Sequence, residues 1–264
     1  VSSIPGTMLV VSIPASDGGK AAGSDIEIGG DKGKAALDRL QNVIRRVADQ
    51  WRPSTRDESF EIVRRRLFKT PDAESLAKIA AVARSFVNMY RDNPQAFPRE
   101  AASSSMDYEK RIRASYPLHP ELLDRLYEDW STLERFQRTR GVLKLVSSIV
   151  YELWNSDDSS ALILPGNVPL SEASVNTDLT QYLEDSWKPI IDSDIDGSDA
   201  TARKIDNEKT GLGKRHVTLR IARTIFMGAA PRSKSNRKGL DKQYVWLGTA
   251  VPGDVIGNFG TALE

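Results

Sequence analysis

Apolar positions along residues 120–154 fall at helical spacing. Leu122, Leu126 and Trp130 recur at i, i+4 and i+8, with Leu123 and Tyr127 beside them, which marks the buried face of a helix. Pro120 sits where proline is tolerated in a first helical turn, and His119 just before it is placed to cap that helix. Ser131 and Glu134 form an S-x-x-E pattern, which predicts that a second helix starts there. Phe136, Val142, Leu143, Val146, Ile149, Val150, Leu153 and Trp154 give this second helix a broad buried side. A basic set, Arg135, Arg138, Arg140 and Lys144, cuts across it, and Arg140 and Lys144 share a face. Gly141 between them costs about 1 kcal/mol relative to alanine in a helix interior. Two readings stay open: solvated arginines on an ordinary helical hairpin, or cations gathered where something approaches the backbone of Gly141 closely.

The rest of the chain reads as helices with a few short strands. Residues 8–14 form a short apolar, β-branched run that predicts a buried strand of a parallel sheet, with Ser12 as its last polar residue. Residues 15–33 are a glycine-rich loop. Helices are predicted over 34–47, ending in Arg45 and Arg46, over 57–68, capped by Ser54 or Thr55, and over 72–92. Pro94 and Pro98 break the chain before a short basic helix at 108–114. Further on, 162–164 and 244–247 read as short strands, 177–182 and 216–227 as helices, and Gly253-Asp254 as the opening of a last helix.

Charge changes the picture in the last hundred residues. Residues 157–199 hold ten acids against Lys188 alone, whereas 203–242 hold twelve Lys or Arg against Asp206, Glu208 and Asp241. The basic block, with Arg215, Arg220, Arg223, Arg237 and Lys238, is a candidate nucleic-acid surface. It is equally a candidate partner for the acidic segment before it. Net charge over the 264 residues is only +1, so no global field favours nucleic acid. The absence of cysteine excludes disulfides, thiolate metal sites and cysteine nucleophiles, and fits a reducing cytoplasm. No apolar run approaches the ~20 residues of a membrane span, so no membrane partner is expected. The start at Val1 suggests a piece of a longer protein.

Three motif look-alikes fail on inspection. Gly29 to Lys34 and Gly211 to Lys214 resemble phosphate-binding loops, but neither has glycine at the first position or Ser/Thr after the lysine. Asp192, Asp194, Asp196 and Gly197 open like a calcium-binding loop, yet the position of the closing glutamate is Arg203. His119 and His216 are far apart, so no metal site is expected.

Several stretches together resemble the C-terminal part of an AAA+-type (P-loop) ATPase. They are MLVVSIPASD, WRPSTRDESFEIVRRRLF, YPLHPELLDRLYEDWSTLERFQRTRGVLKLV, the DSDIDG segment and IARTIFMGAAP. More closely, they look like one family of large bacterial and archaeal ATPases found beside DNA methyltransferases and helicases in phage-defence islands. The resemblance implies a helix-rich α/β fragment. Residues 1–56 would end the core with its buried parallel strands, 57–155 would form a helical lid, and 156–264 a mixed acidic and basic region, with its basic block the candidate for DNA contact. It implies Ser12 as a first sensor, Arg45 or Arg46 as an arginine finger, and Lys144, or alternatively Arg140, with Arg138 nearby, as the second sensor on nucleotide. It further implies a homo-oligomer joined through the finger, DNA as a possible track, and methyltransferase or helicase partners. ATP and Mg2+ would be bound by the full-length parent and not by this segment alone, because the phosphate-binding loop and the acidic Mg2+ motif would precede Val1.

Overall fold

Helix α1 (Arg56–Leu67) turns Phe60 and Val63 inward and leaves Arg65 and Arg66 in solvent. Helix α2 (Ala73–Asp92) starts at Asp72, whose carboxylate accepts the Ser75 amide at 2.8 Å. Its apolar stripe, Ile79, Ala83, Phe86, Val87 and Tyr90, is buried as the helical period requires. The computed structural model describes residues 56–104, 106–133, 136, 138–233 and 239–263, together with Arg39. All of them except Arg39 lie in one unit that begins at Trp51.

After α2 come α3 (Arg99–Ala102), α4 (Asp107–Ser115), α5 (Pro120–Glu128), α6 (Arg138–Asn155), α7 (Ala173–Thr180), α8 (Trp187–Ile190) and a π-helical turn (Ile191–Ile195). Helices α9 (Thr201–Glu208), α10 (Thr210–Gly213), α11 (Val217–Ala229), α12 (Lys242–Leu247) and α13 (Gly257–Leu263) complete the described chain.

Two apolar cores form, and each draws on both halves of this unit. One joins α1, α5, α6 and α7 to Phe226 and Met227 at the end of α11. The other joins α2 and α4 to Val217 and Ile221 at the start of α11, to α12 and to Phe259. Trp130 ties the first core together: it is fully buried, and its indole N–H donates to the Met227 carbonyl at 2.8 Å.

The expected α/β fold is overturned. The described residues contain helices and no sheet, so the buried parallel strands of a P-loop core are not there. The predicted strand at 162–164 is reduced to one isolated parallel bridge, Leu118 with Ile163. Residues 244–247, with Tyr, Val and Trp favouring a strand, instead form α12, because one helical turn buries Val245, Trp246 and Leu247 together. The predicted strand at 8–14 and the helix at 34–47 lie outside the described residues, Arg39 excepted.

The second helix of the hairpin also starts later than expected. Residues Trp130–Thr132 form a 3-10 turn, and Ser131 donates its hydroxyl back to the Tyr127 carbonyl instead of capping a new helix. Helix α6 begins seven residues later, at Arg138. His119 does cap α5: its Nδ1 accepts the Glu121 amide at 3.1 Å, and Pro120 occupies the first turn.

Candidate functional site

The start of α6 carries Arg138, Arg140 and Lys144 and no acid in its first turn. A helix N-terminus is the positive end of the backbone dipole, so cations there are disfavoured unless an anion faces them. Arg140 is exposed and makes no ion pair with a described residue. Lys144, 63 % exposed, lies 2.7 Å from Asp178 of α7. Asp178 is held in turn by the Ser148 hydroxyl at 2.8 Å. The hydrogen bond that Lys144 itself donates to Asp178, and then the carboxylate charge, raise the Lys144 ammonium above its usual range. Lys144 is therefore partly neutralised at home, and Arg140 is the more available cation. Gly141 admits a neighbour closely, as its position suggested, but that neighbour is the Phe136 ring, which a Cβ would meet at 3.2 Å.

The basic block is largely spoken for by buried acids. Asp196 is fully buried and accepts a two-pronged pair of hydrogen bonds from Arg223 at 2.8 and 2.9 Å, one from Arg203 at 2.8 Å, and the Ser171 amide at 3.0 Å. Asp254 receives Arg220 at 3.0 Å and Arg215 at 3.2 Å. Arg220 also donates to the carbonyls of Thr249 and Arg215, which fills its fork. Arg232 donates to Asp129 at 2.7 Å. Asp206, an acid within the block, accepts the amides of Thr218 and Leu219 and so closes the N-terminus of α11.

Arg215, Arg220 and Arg223 thus all reach carboxylates, and of these only Arg215 keeps substantial exposure. The acidic segment before the block supplies one partner, Asp196, and the chain after it supplies Asp254. The calcium-like spacing resolves the same way: Arg203, standing where the closing glutamate would be, pairs with Asp196. A Cβ on Gly197 would run into the Asp192 carbonyl, so the glycine serves this tight turn. No metal-binding cluster of His, Asp or Glu occurs among the described residues.

A buried polar cluster sits on the α2–α4–α5 side, and sequence reasoning did not single it out beyond the His119 cap. The Tyr90 hydroxyl lies 2.9 Å from His119 Nε2. Because Nδ1 accepts an amide, the neutral ring carries its proton on Nε2 and donates it to Tyr90. Burial, and secondarily the Arg111 charge, lower the His119 pKa to about 3. Burial pushes Glu121 up to about 8, while Arg125, 2.8 Å away, works against that rise. Their contact is Coulombic, since the Arg125 Nε–H is not aligned on the carboxylate. Each of these residues is enclosed by helices, so the cluster reads as a structural core.

Ser12, Arg45, Arg46, Arg237 and Lys238 lie outside the described residues. Arg138 is placed as the first residue of α6, with its side chain undescribed. The structure therefore brings together Arg138, Arg140 and Lys144 on one helix, and gathers Arg215 and Arg220 on Asp254 and Arg223 on Asp196.

No curated protein and no solved structure matches the chain. A family comparison does: residues 54–240 match the DUF499 second domain. That match covers well over half of the chain, which therefore belongs to the DUF499 second-domain family.

Proposed function

We propose that this helical domain serves a nucleotide-hydrolysing protein as the element that senses phosphate, with Arg140 as the principal contact and Lys144 as its support. The observation that carries this reading is the exposed Arg140 in a first turn of α6 that holds no acid. Arg138 and Arg140 occupy the dipole end that attracts anions, Lys144 follows one turn on, and no acid stands in the first turn. Asp178 holds Lys144 in one place, so that it contributes charge without wandering. Arginine suits the contact because its planar fork can hold two phosphate oxygens at once. The phosphate-binding loop and Mg2+ would come from another part of the polypeptide. Work on DNA beside methyltransferases and helicases in phage defence remains the context that the resemblance supports. In this domain Arg220 and Arg223 are engaged elsewhere, so the proposal assigns it no DNA surface.

The test is ATP turnover by the polypeptide that carries this domain together with its phosphate-binding loop. Arg140→Ala is expected to lower kcat about 10²-fold, in the range of a lost electrostatic stabiliser, with ATP affinity changing far less. Lys144→Ala should show a smaller loss. Wild-type kcat and KM in Arg140→Ala would remove the assignment.

A further inference from the structure

Where α1 ends and α2 begins, the surface opens into a pocket of about 450 Å3, with Tyr116 and Pro117 also in its lining. That volume lies within the ~300–1,000 Å3 typical of small-molecule sites. Its lining is divided by chemistry. Phe68, Ile79 and Tyr116 supply apolar and aromatic surface, while Arg64, Lys69 and Lys78 supply three cations.

These cations are weakly answered. The Arg64 Nε is buried and has no hydrogen-bond partner. Among the described residues the carboxylate that faces its guanidinium is Glu61, 3.8 Å away and held by Arg65 at 2.6 Å. Lys69 is exposed and makes no ion pair with a described residue. Lys78 meets Glu74 at 2.7 Å, but both side chains are about three-quarters exposed, a setting in which a pair contributes ~0–1 kcal/mol. The one acid on the cavity wall, Asp72, is occupied in accepting the Ser75 amide. With three cations and one acid among its described lining residues, the corner carries a net positive charge that a bound anion would offset.

We propose that this corner binds a small organic anion, its phosphate or carboxylate held by Arg64 and Lys69 and its apolar body resting on Phe68, Ile79 and Tyr116. The site is separate from the start of α6 and does not depend on the phosphate-sensing reading.

Calorimetric titration of the full chain with phenyl phosphate, benzoate, inorganic phosphate and benzyl alcohol tests it. Phenyl phosphate or benzoate is expected to bind at least about tenfold more tightly than either inorganic phosphate or benzyl alcohol. Whichever of the first two binds better identifies the head group. Lys69→Ala, a change at an exposed position that leaves the fold intact, should weaken that binding about tenfold, as should Arg64→Gln. The proposal is overturned if neither anion binds at millimolar concentration, if benzyl alcohol binds as well as both, or if Lys69→Ala and Arg64→Gln both bind like the wild type.

Discussion

Replacing Asp196 with asparagine should cost about 3 kcal/mol of stability, near the lower end of the range for removing one partner of a buried ion pair. The carboxylate is fully buried, and Arg223 and Arg203 reach it with side chains 13 % and 33 % exposed. Asparagine keeps the size but removes the charge. Two guanidinium groups then face a neutral amide in a place that water reaches poorly. Arg203 is exposed enough for solvent to screen part of its loss, which keeps the figure below the top of the range. For a unit of this size the change corresponds to a drop in Tm of roughly 6–12 °C, read by calorimetry or circular dichroism. Arg223→Met should cost less, because Asp196 keeps Arg203. An Asp196→Asn protein melting at the wild-type temperature would mean that these arginines are solvated, and would reopen them as nucleic-acid ligands.

Stability should also pass through a plateau between about pH 4.5 and 6.5 and fall on either side at ~1.4 kcal/mol per pH unit, by about 0.7 kcal/mol at pH 4 and about 2 kcal/mol at pH 8. The His119 pKa is depressed from 6.5 to about 3, so its contribution is present above pH 6.5 and is lost as pH falls toward 3. Protonation would put a second N–H on Nδ1, facing the Glu121 amide N–H that it now accepts. Glu121 is raised from 4.5 to about 8, so its contribution has the opposite sign: present below pH 4.5 and lost as pH rises through 8. Between 4.5 and 6.5 the two slopes cancel. Below that window His119 acts alone, and above it Glu121 does. Denaturant midpoints measured from pH 4 to 9 check this. Glu121→Gln should flatten the alkaline limb, and His119→Asn, which keeps a capping group, should flatten the acid limb. Limbs unchanged in both variants would place the titrating groups elsewhere.

Much of the helical order was legible because burial imposes period. The stripes of α2 and α5 and the His119–Pro120 start are local patterns, and a local pattern survives whatever packs against it. The cations of α6 were equally visible as a cluster. Their relative availability was not, since Asp178, which occupies Lys144, arrives from thirty-odd residues away. Residues 244–247 show the opposite failure: β-branched and aromatic residues favoured a strand, but their burial in the second core was better served by a helical turn. The S-x-x-E pattern at Ser131 does not start a helix, because the hydroxyl finds a nearer acceptor in the Tyr127 carbonyl.

By itself the sequence determined most of the longer helices, that an acidic block precedes a basic one, and that four cations gather near Gly141. Only the tertiary structure decided which charges are free. Asp196 collects Arg203 and Arg223, and Asp254 collects Arg215 and Arg220, leaving Arg140 in solvent. The reason is physical. Helix formation depends on neighbours within a turn or two, whereas a buried carboxylate must be satisfied by whichever cation the packing brings within about 3 Å, however far apart the two lie in the chain.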